Sequence, residues 1–396
     1  MNSRFPVAVV SAVRTPIGRF LGGLSSLSAP AMGQVVVEEA LKRAQIPPEE
    51  VDSLIFGHAR QAGAGPNPAR QVVHRAGLPE TTPGLTLNQA CASGLKCVQM
   101  AADEIRLGRS SIVVAGGMES MSQVPFLLDR MRTGYRLGDA PLKDAMYADG
   151  FLCRLSDMIM GETAELLAKE RNISREQQDQ FALESQHKAA AAVEAGRFED
   201  EIAAVTVATR KGEQIIAADE HLRPQTSLES LAKLAPVFDR EQGSVTAGNS
   251  SGITDGAAAL VLMRPQEAEA RGLEIMALLT DSQVVGCDPK RMGLGPVPAT
   301  RQLLERCRLS LEDLDLVELN EAFAAQALAV LQETPFDPAR LNVNGGAIAL
   351  GHPIGCTGAR IVVTLLHEMR RRGSRRGLAT LCVSGGLGMS ALFERP

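Results

Sequence analysis

The chain has 396 residues, of which 45% are hydrophobic and 22% charged, with a formal net charge of −5. This length suits two or three soluble domains, and the weakly acidic balance excludes a basic surface for nucleic acid. No apolar run reaches the roughly 18 residues that a membrane-spanning helix needs, so we expect no membrane partner.

Short apolar runs alternate with helical patterns along the chain, which is typical of an α/β fold. Two helices are predicted at 92–107 and 355–372, where apolar side chains recur on one face. The apolar runs predict ten β-strands, at 7–12, 53–57, 84–89, 112–116, 257–263, 276–285, 316–319, 341–344, 378–383 and 389–393.

The strands and helices form one unit used twice. "LNQACASGL…LGRSSIVVAGG" and "LNVNGGAIALGHPIGCTGA…RRGLATLCVSGG" share a strand, a turn, a helix, a glycine and a second strand. We therefore expect an N-terminal α/β half at 1–120, completed by 252–271, and a C-terminal half at 272–396. Between them, 121–251 is rich in Met, charge and helix-forming residues and predicts an inserted, largely helical domain.

Cys91 lies in "NQACASGL", between a predicted strand and a predicted helix. Free N–H groups and the dipole at a helix N-terminus stabilise a thiolate, which predicts a lowered thiol pKa and a nucleophile. A buried cysteine that fills a tight turn is the alternative. The seven cysteines are scattered without a CxxC motif, and no N-terminal signal is visible, so we expect a reducing cytoplasm.

Three more residues have the chemistry of an active site. His352 lies in a glycine-rich insertion of the second repeat and suits a general base, although a backbone-bonded loop histidine is the alternative. Cys382 ends a predicted strand, where both a proton-transfer group and a core cysteine fit. Asn320 follows another predicted strand and fits either a water-binding residue or a helix N-cap.

Several common sites are not supported by the sequence. No GxxxxGK[ST], no strand-linked GxGxxG and no HExxH motif occurs, which argues against P-loop, Rossmann and zinc-protease sites. No set of His, Cys or carboxylate residues has the spacing of metal ligands. We therefore expect neither a metal nor a nucleotide cofactor.

The chain resembles the thiolase family over nearly its whole length. The resemblance implies a duplicated five-layered α-β-α-β-α fold, with an inserted loop domain that covers the coenzyme A site. It is carried, in order, by "VVSAVRTPIGRF", "NQACASGLKCV", "GGMESMSQVP", "MGETAELLA", "SREQQDQFALESQ", "FDREQGSVTAGNSSGITDGAAA", "MGLGPVPA", "NEAFAAQ", "GGAIALGHPIGCTGAR" and "CVSGGLGMS".

The resemblance also implies roles for individual residues. Cys91 would carry the acyl group as a thioester, His352 would activate it and bind the thioester oxygen, and Cys382 would move the α-proton of the acyl-CoA. Asn320 would hold a water beside His352. The backbone N–H groups of Cys91 and Ser384, the latter a position that is more usually Gly, would form a second oxyanion hole.

The implied reaction is CoA-dependent cleavage of a 3-ketoacyl-CoA, or the reverse Claisen condensation, by a ping-pong mechanism in fatty acid metabolism. It needs no cofactor, since coenzyme A is a substrate. One alternative is a ketoacyl-synthase-like condensing enzyme, although those pair one Cys with two His. The other is a non-catalytic relative that binds acyl-CoA or lipid, although such relatives usually lose the Cys or His.

The expected substrate preference and oligomeric state rest on less specific resemblances to subgroups of the family. Short-chain biosynthetic members carry a His where this chain has Ile159, which favours a longer or branched acyl chain over acetoacetyl-CoA. In contrast, "RTGYRLGD" resembles the cationic loop through which short-chain members form tetramers, so we expect a homodimer or homotetramer. The predicted contacts to CoA or substrate are Arg223, Ser230, Ser251, Met160, Met292, Ile159 and Phe323.

Overall fold

The structure is a computed structural model that describes residues 5–396. Its strands are β1 (Val7–Arg14), β2 (Gly18–Arg19), β3 (Ser53–Gly57), β4 (Gly84–Leu87), β5 (Ile112–Ser120), β6 (Phe126–Leu127), β7 (Lys143–Asp144), β8 (Leu152–Cys153), β9 (Met158–Ile159), β10 (Val205–Thr209), β11 (Gly212–Ile216), β12 (Thr254–Met263), β13 (Ala277–Gly286), β14 (Leu316–Leu319), β15 (Arg376–Val383) and β16 (Leu387–Glu394). Its helices are α1 (Ala29–Ala44), α2 (Pro68–Arg75), α3 (Ser93–Arg106), α4 (Met160–Glu170), α5 (Arg175–Glu194), α6 (Leu228–Ala232), α7 (Pro265–Ala270), α8 (Pro296–Cys307), α9 (Ala324–Glu333), α10 (Ala347–Leu350) and α11 (Ile354–Arg372).

The main sheet repeats one pairing pattern in its two halves. Its strand order is β14-β15-β16-β13-β1-β12-β5-β3-β4. In the first half β3 is parallel to β5, which is antiparallel to β12; in the second, β14 is parallel to β15, which is antiparallel to β16. The halves join where β1 pairs with β13, from Val7↔Leu279 to Val9↔Ala277. The predicted α/β fold of two duplicated halves is confirmed.

The predicted strand at 341–344 is wrong. Leu341 makes only an isolated bridge to Val317, and Asn342 then adopts a left-handed φ of 42° that turns the chain away. The Asn342 side chain takes the place of a strand backbone, because its amide oxygen accepts the Leu319 N–H at 2.9 Å and its amide nitrogen donates to the Leu319 carbonyl at 2.8 Å. A side chain that imitates backbone hydrogen bonding thus ends the sheet here.

The segment 121–251 is less helical than predicted. It contains the helices α4, α5 and α6, but β6–β7, β8–β9 and β10–β11 also pair into small sheets. The boundaries drawn at 120 and 251 stay predictions. Within residues 5–396, no helix combines the length and the apolar character that a membrane span requires.

Helices α3 and α11 lie in one core between the strands of the two halves. Their apolar faces share a cluster with Ala115, Leu260, Ala379 and Ala391 from both sets of strands. The two helices touch near their N-termini, since a Cβ on Gly94 would lie 2.6 Å from the Ala359 nitrogen and one on Gly358 would lie 2.4 Å from the Leu95 nitrogen. Only glycine allows this approach, which brings the turns before both helices together.

Candidate active site

Cys91 lies in a strained turn ahead of α3. The turn is a 3₁₀ helix, Ala90–Ala92, and Ala90 has a left-handed φ of 46°, which costs energy for a residue with a Cβ. Two side chains hold it: the Asn88 amide oxygen accepts the Ala90 N–H at 2.9 Å, and the Ser93 hydroxyl donates to the Ala90 carbonyl at 2.6 Å. The turn presents a half-buried thiol at the edge of the central core.

The thiol of Cys91 is directed at a pair of backbone donors. The backbone N–H groups of Ser384 and of Cys91 itself favour the thiolate, and these are the two donors of the predicted oxyanion hole. Burial nevertheless outweighs these donors and raises the pKa of the Cys91 thiol. The expectation of a lowered pKa was therefore wrong. Loss of hydration destabilises the thiolate more than the backbone N–H groups at the start of α3 stabilise it. The resting thiol is neutral and needs a base.

His352 is held in one tautomer. Its Nδ1 lies 2.6 Å from the Thr357 hydroxyl, and that hydroxyl donates its only proton to the Pro353 carbonyl at 2.9 Å. Thr357 can therefore only accept from Nδ1, so the proton sits on Nδ1 and Nε2 carries a lone pair. Nε2 is buried and has no hydrogen-bond partner among the described residues. This nitrogen is a ready base.

Electrostatics keep the His352 ring neutral. Burial, followed by the positive charges of Arg360 and Arg60, lowers the pKa of His352 to about 3. The imidazole is therefore unprotonated at any pH near neutrality, which leaves the Nε2 lone pair available to a donor that binds beside it. The backbone N–H of His352 donates to the Gly252 carbonyl at 3.2 Å, which anchors the ring against the 249–252 segment.

Asn320 has an amide that no other described residue uses. Its side chain is fully buried, and neither its nitrogen nor its oxygen has a hydrogen-bond partner. The N-cap alternative is wrong, because α9 begins at Ala324 with Phe323 as its N-cap. A buried amide without partners is expensive, which makes this amide a binding group for water or substrate.

The segment 249–252 joins the Asn320 loop to the His352 loop. Asn249 accepts the Ala324 N–H at 2.9 Å, and the Ser251 N–H donates to the Ala322 carbonyl at 3.0 Å. Gly252 then accepts from His352, as described above. A short extended segment therefore connects both loops, and the sequence "NSSG" belongs to the framework of the site.

Cys382 lies in an apolar pocket beside Cys91. Burial, with the neighbouring Cys91 and Cys287 thiols, raises its pKa well above the ordinary value, so the thiol is protonated. A protonated thiol is a proton donor, which is the role that the family resemblance implies. The side chains that share this pocket are Cys153, Met160, Met292, Ala322 and Phe323.

The predicted CoA and substrate contacts fall into two groups. Met160, Met292 and Phe323 are brought to Cys382, and Ser251 donates its hydroxyl to the Ala322 carbonyl at 3.0 Å. Ile159 is half-buried at the N-cap of α4, paired with Leu152 across β8 and β9. Arg223 and Ser230 are exposed, and the Ser230 hydroxyl bonds back to Ser227 at the start of α6. The ligand contacts of all these residues stay predictions.

Sequence reasoning missed three supporting residues: Thr357, Glu119 and Arg60. Glu119 is fully buried, and its carboxylate accepts the N–H of Ala59 at 3.1 Å, of Arg60 at 3.0 Å and of Gly355 at 2.8 Å. It therefore ties the end of β3 to the start of α11. Glu119 is visible in "GGMES" as an acidic residue in an otherwise apolar strand. Its role could not be inferred from the sequence, because that role depends on hydrogen-bond partners that only the fold brings together.

Metal chemistry has no support in the described part of the chain. No group of three or more His, Cys, Asp or Glu side chains in residues 5–396 is arranged to hold a metal ion. The polar atoms without partners, on His352 and Asn320, instead suit an organic oxygen or a water.

Comparisons with known proteins agree over the whole chain. Residues 7–266 match the family model "Thiolase, N-terminal domain", and residues 273–395 match "Thiolase, C-terminal domain". The acetyl-CoA acetyltransferase of Chromobacterium violaceum is 51% identical over 98% of this chain and 100% of its own length. The enzyme of that name from Escherichia coli K12 is 52% identical over 98% of both chains.

Solved structures match over the whole chain as well. The crystal structure of the Bacillus anthracis acetyl-CoA acetyltransferase superposes with a TM-score of 0.97 at 45% identity, over 100% of both chains. Human mitochondrial 3-ketoacyl-CoA thiolase in complex with CoA superposes with a TM-score of 0.94 at 41% identity, over 99% of this chain and 98% of that one. The chain therefore belongs to the thiolase family.

Proposed function

We propose that this thiolase transfers an acyl group between a 3-ketoacyl-CoA and CoA through a thioester on Cys91. The observation that carries the proposal is the free lone pair on Nε2 of His352, in a site where the Cys91 thiol is neutral and faces the Ser384 N–H. Because the base and the thiol are both neutral at rest, the Cys91 sulfur becomes a nucleophile only when its proton moves to Nε2 of His352. Activation of the thiol is therefore coupled to its attack on the substrate.

Cleavage begins when Nε2 of His352 takes the thiol proton and the Cys91 sulfur attacks the 3-keto carbon. The oxyanion that forms accepts hydrogen bonds from the N–H groups of Cys91 and Ser384, and such donors contribute several kcal/mol to a barrier. Collapse of the tetrahedral intermediate breaks the bond between Cα and Cβ. The acyl group stays on sulfur, and the electron pair leaves as the enolate of acetyl-CoA.

The enolate is stabilised and protonated on the opposite side of the site. Nε2 of His352, now protonated, and the amide of Asn320 with its water donate to the enolate oxygen, and the Cys382 thiol gives its proton to the α-carbon. Acetyl-CoA leaves, and the thiol of CoA gives its proton to Cys382 as it attacks the thioester. The new tetrahedral intermediate collapses by breaking the bond between the acyl carbon and the Cys91 sulfur, and Nε2 of His352 returns its proton to that sulfur. The reverse sequence is the Claisen condensation of two acyl-CoA molecules, and neither direction uses a cofactor.

The substrates, location and assembly are part of the same proposal. Relatives named acetyl-CoA acetyltransferase and a related thiolase in complex with CoA support acyl-CoA and CoA as substrates. Ile159 supports acyl chains longer than acetoacetyl, in fatty acid metabolism. A cytoplasmic homodimer or homotetramer is the expected form. The non-catalytic and ketoacyl-synthase-like alternatives are less favoured, because Cys91, His352, Cys382 and Asn320 are all retained.

The test is CoA-dependent cleavage of 3-ketoacyl-CoAs of increasing chain length, followed by the release of acetyl-CoA. Cys91→Ala should abolish turnover, whereas Cys97→Ala, which removes a buried thiol from the body of α3, should retain it. Failure to cleave any chain length, or a Cys91→Ala variant as active as the wild type, would refute the proposal.

A further inference from the structure

Arg60 is a buried cation beside the active site. It follows β3, and only 7% of its surface is exposed. The segment above it fits closely: a Cβ on Gly150 would lie 2.3 Å from Arg60 Nε, and the guanidinium carbon lies 5.9 Å from the centroid of the Phe151 ring. A glycine and an aromatic face therefore hold the guanidinium in place.

The guanidinium has no acceptor within the described residues. Nε is fully buried without a partner, and the two terminal nitrogens, which are not fully buried, make no hydrogen bond or ion pair with another residue in 5–396. The nearby Glu119 carboxylate balances the charge, but it is occupied by backbone N–H groups and by His58. The buried Nε–H thus has no acceptor, which is costly unless a bound group accepts it, and the terminal N–H groups are free to bond the same group.

Arg60 lies close to the reaction centre. The positive charge of Arg60 opposes the larger effect of burial on the pKa of the Cys91 thiol and adds to the effect of burial on the pKa of His352, so it lies within electrostatic reach of both. Phe151, which stacks on Arg60, and Cys91 border one apolar cluster, whose other members are Ala59, Met121, Met146, Ile354, Val124 and Ile253. This cluster therefore connects Cys91 to the aromatic ring on which the guanidinium stacks.

We propose that Arg60 is a specificity-determining residue that binds a carboxylate at the far end of the acyl chain. The preferred substrate is then a 3-ketoacyl-CoA whose acyl group ends in a carboxylate, an inference that rests on the proposed function. Guanidinium and carboxylate match as paired N–H···O bonds, and the apolar cluster carries the methylene groups between thioester and carboxylate. A chain that ends in a methyl group leaves the buried Nε–H unpaired.

The test compares 3-ketoadipyl-CoA with 3-ketohexanoyl-CoA, which share one chain length and differ in the terminal carboxylate. The wild type should favour the carboxylated substrate by about 10²-fold in kcat/KM, since sites built for a hydrogen-bonding group strongly reject analogues that lack it. Arg60→Met should remove the preference, and Arg60→Lys should keep part of it. The ratio of the two kcat/KM values cancels any general loss of activity in a variant.

The matched control is Arg154→Met, which removes an exposed arginine from the turn between β8 and β9, close in sequence to Phe151, and should leave the ratio unchanged. Equal kcat/KM values for the two substrates in the wild type, or an unchanged ratio in Arg60→Met, would overturn the inference and leave the proposed function intact. An equal fall for both substrates in Arg60→Met would also overturn it, because Arg60 would then act on the reacting thioester. If neither substrate nor acetoacetyl-CoA is cleaved, the proposed function itself fails.

Discussion

The Thr357 hydroxyl accepts a hydrogen bond from Nδ1 of His352 at 2.6 Å and donates its own proton to the Pro353 carbonyl at 2.9 Å. This relationship sets the chemistry of the site, because it leaves the lone pair of the ring on Nε2. Since Thr357 lies one turn into α11, the start of that helix determines the tautomer of the base.

Removal of the Thr357 hydroxyl should slow catalysis more than it weakens substrate binding. Thr357→Val leaves Nδ1–H buried without an acceptor, a cost of about 1–3 kcal/mol that should lower kcat about ten- to a hundredfold at a similar KM. Thr357→Ser should restore most of the rate. Steady-state measurements of kcat and KM for both variants test this prediction. A Thr357→Val variant with the kcat of the wild type would show that Thr357 does not determine the tautomer of His352.

The pH dependence of Cys91 alkylation should show a neutral thiol. Its raised pKa means that the thiolate fraction is small at neutral pH and grows only above the ordinary thiol value of 9.0, so the rate with iodoacetamide should rise through that pH without a plateau. No inflection should appear near 6.5, because His352 protonates only at about 3.

Peptide mapping is needed to follow that alkylation, since hydrogen bonds from Ser156, Leu155 and Gly385 lower the pKa of the nearby Cys153 thiol. Label on Cys153 should appear at lower pH than label on Cys91. A rate at Cys91 that levels off below about pH 8 would instead indicate a thiolate–imidazolium pair in the resting enzyme.

Truncation of Asn320 should act on the enolate side of the reaction. Asn320→Ala removes a buried donor and acceptor with no protein partner, and the loss of one such donor typically lowers kcat by about 10²-fold. The thermal midpoint should change little or rise, because the amide makes no hydrogen bond that folding needs. A large fall in the midpoint with kcat preserved would assign Asn320 to the core.

Ile159 should influence which acyl chain is preferred. Ile159→His places a polar ring at the start of α4 and should raise the kcat/KM ratio of acetoacetyl-CoA to longer 3-ketoacyl-CoAs. Ile159→Val, which changes only size, is the control. An identical chain-length profile for the His variant and the wild type would exclude Ile159 as a determinant.

The repeated fold was accessible from the sequence because its signals are local. Apolar runs predict strands such as β3 and β14 to the residue, and the recurrence of strand, helix and Gly-Gly predicts the duplication. The prediction of a strand at 341–344 failed because the Asn342 side chain, in place of a strand backbone, forms the hydrogen bonds to Leu319. An apolar pattern does not encode such side-chain bonds.

The site was predictable as a set of residues but not as an electrostatic environment. Cys91, His352 and Asn320 stand at turns that family motifs mark, yet the direction of the Cys91 pKa depends on burial by chain segments far away in sequence. Thr357 and Arg60 were missed for the same reason, since each gains its role from a partner that only folding supplies.

The most direct test of the central claim is to trap the acyl-enzyme. The enzyme is mixed with acetoacetyl-CoA without free CoA, quenched in acid and digested, and the peptides are analysed by mass spectrometry. We expect an acetyl group on the peptide that contains Cys91, lost when CoA is added before the quench and absent in Cys91→Ala. An acetyl group on Cys382 or Cys153 instead, or cleavage that proceeds with Cys91 unmodified at every time point, would contradict the account.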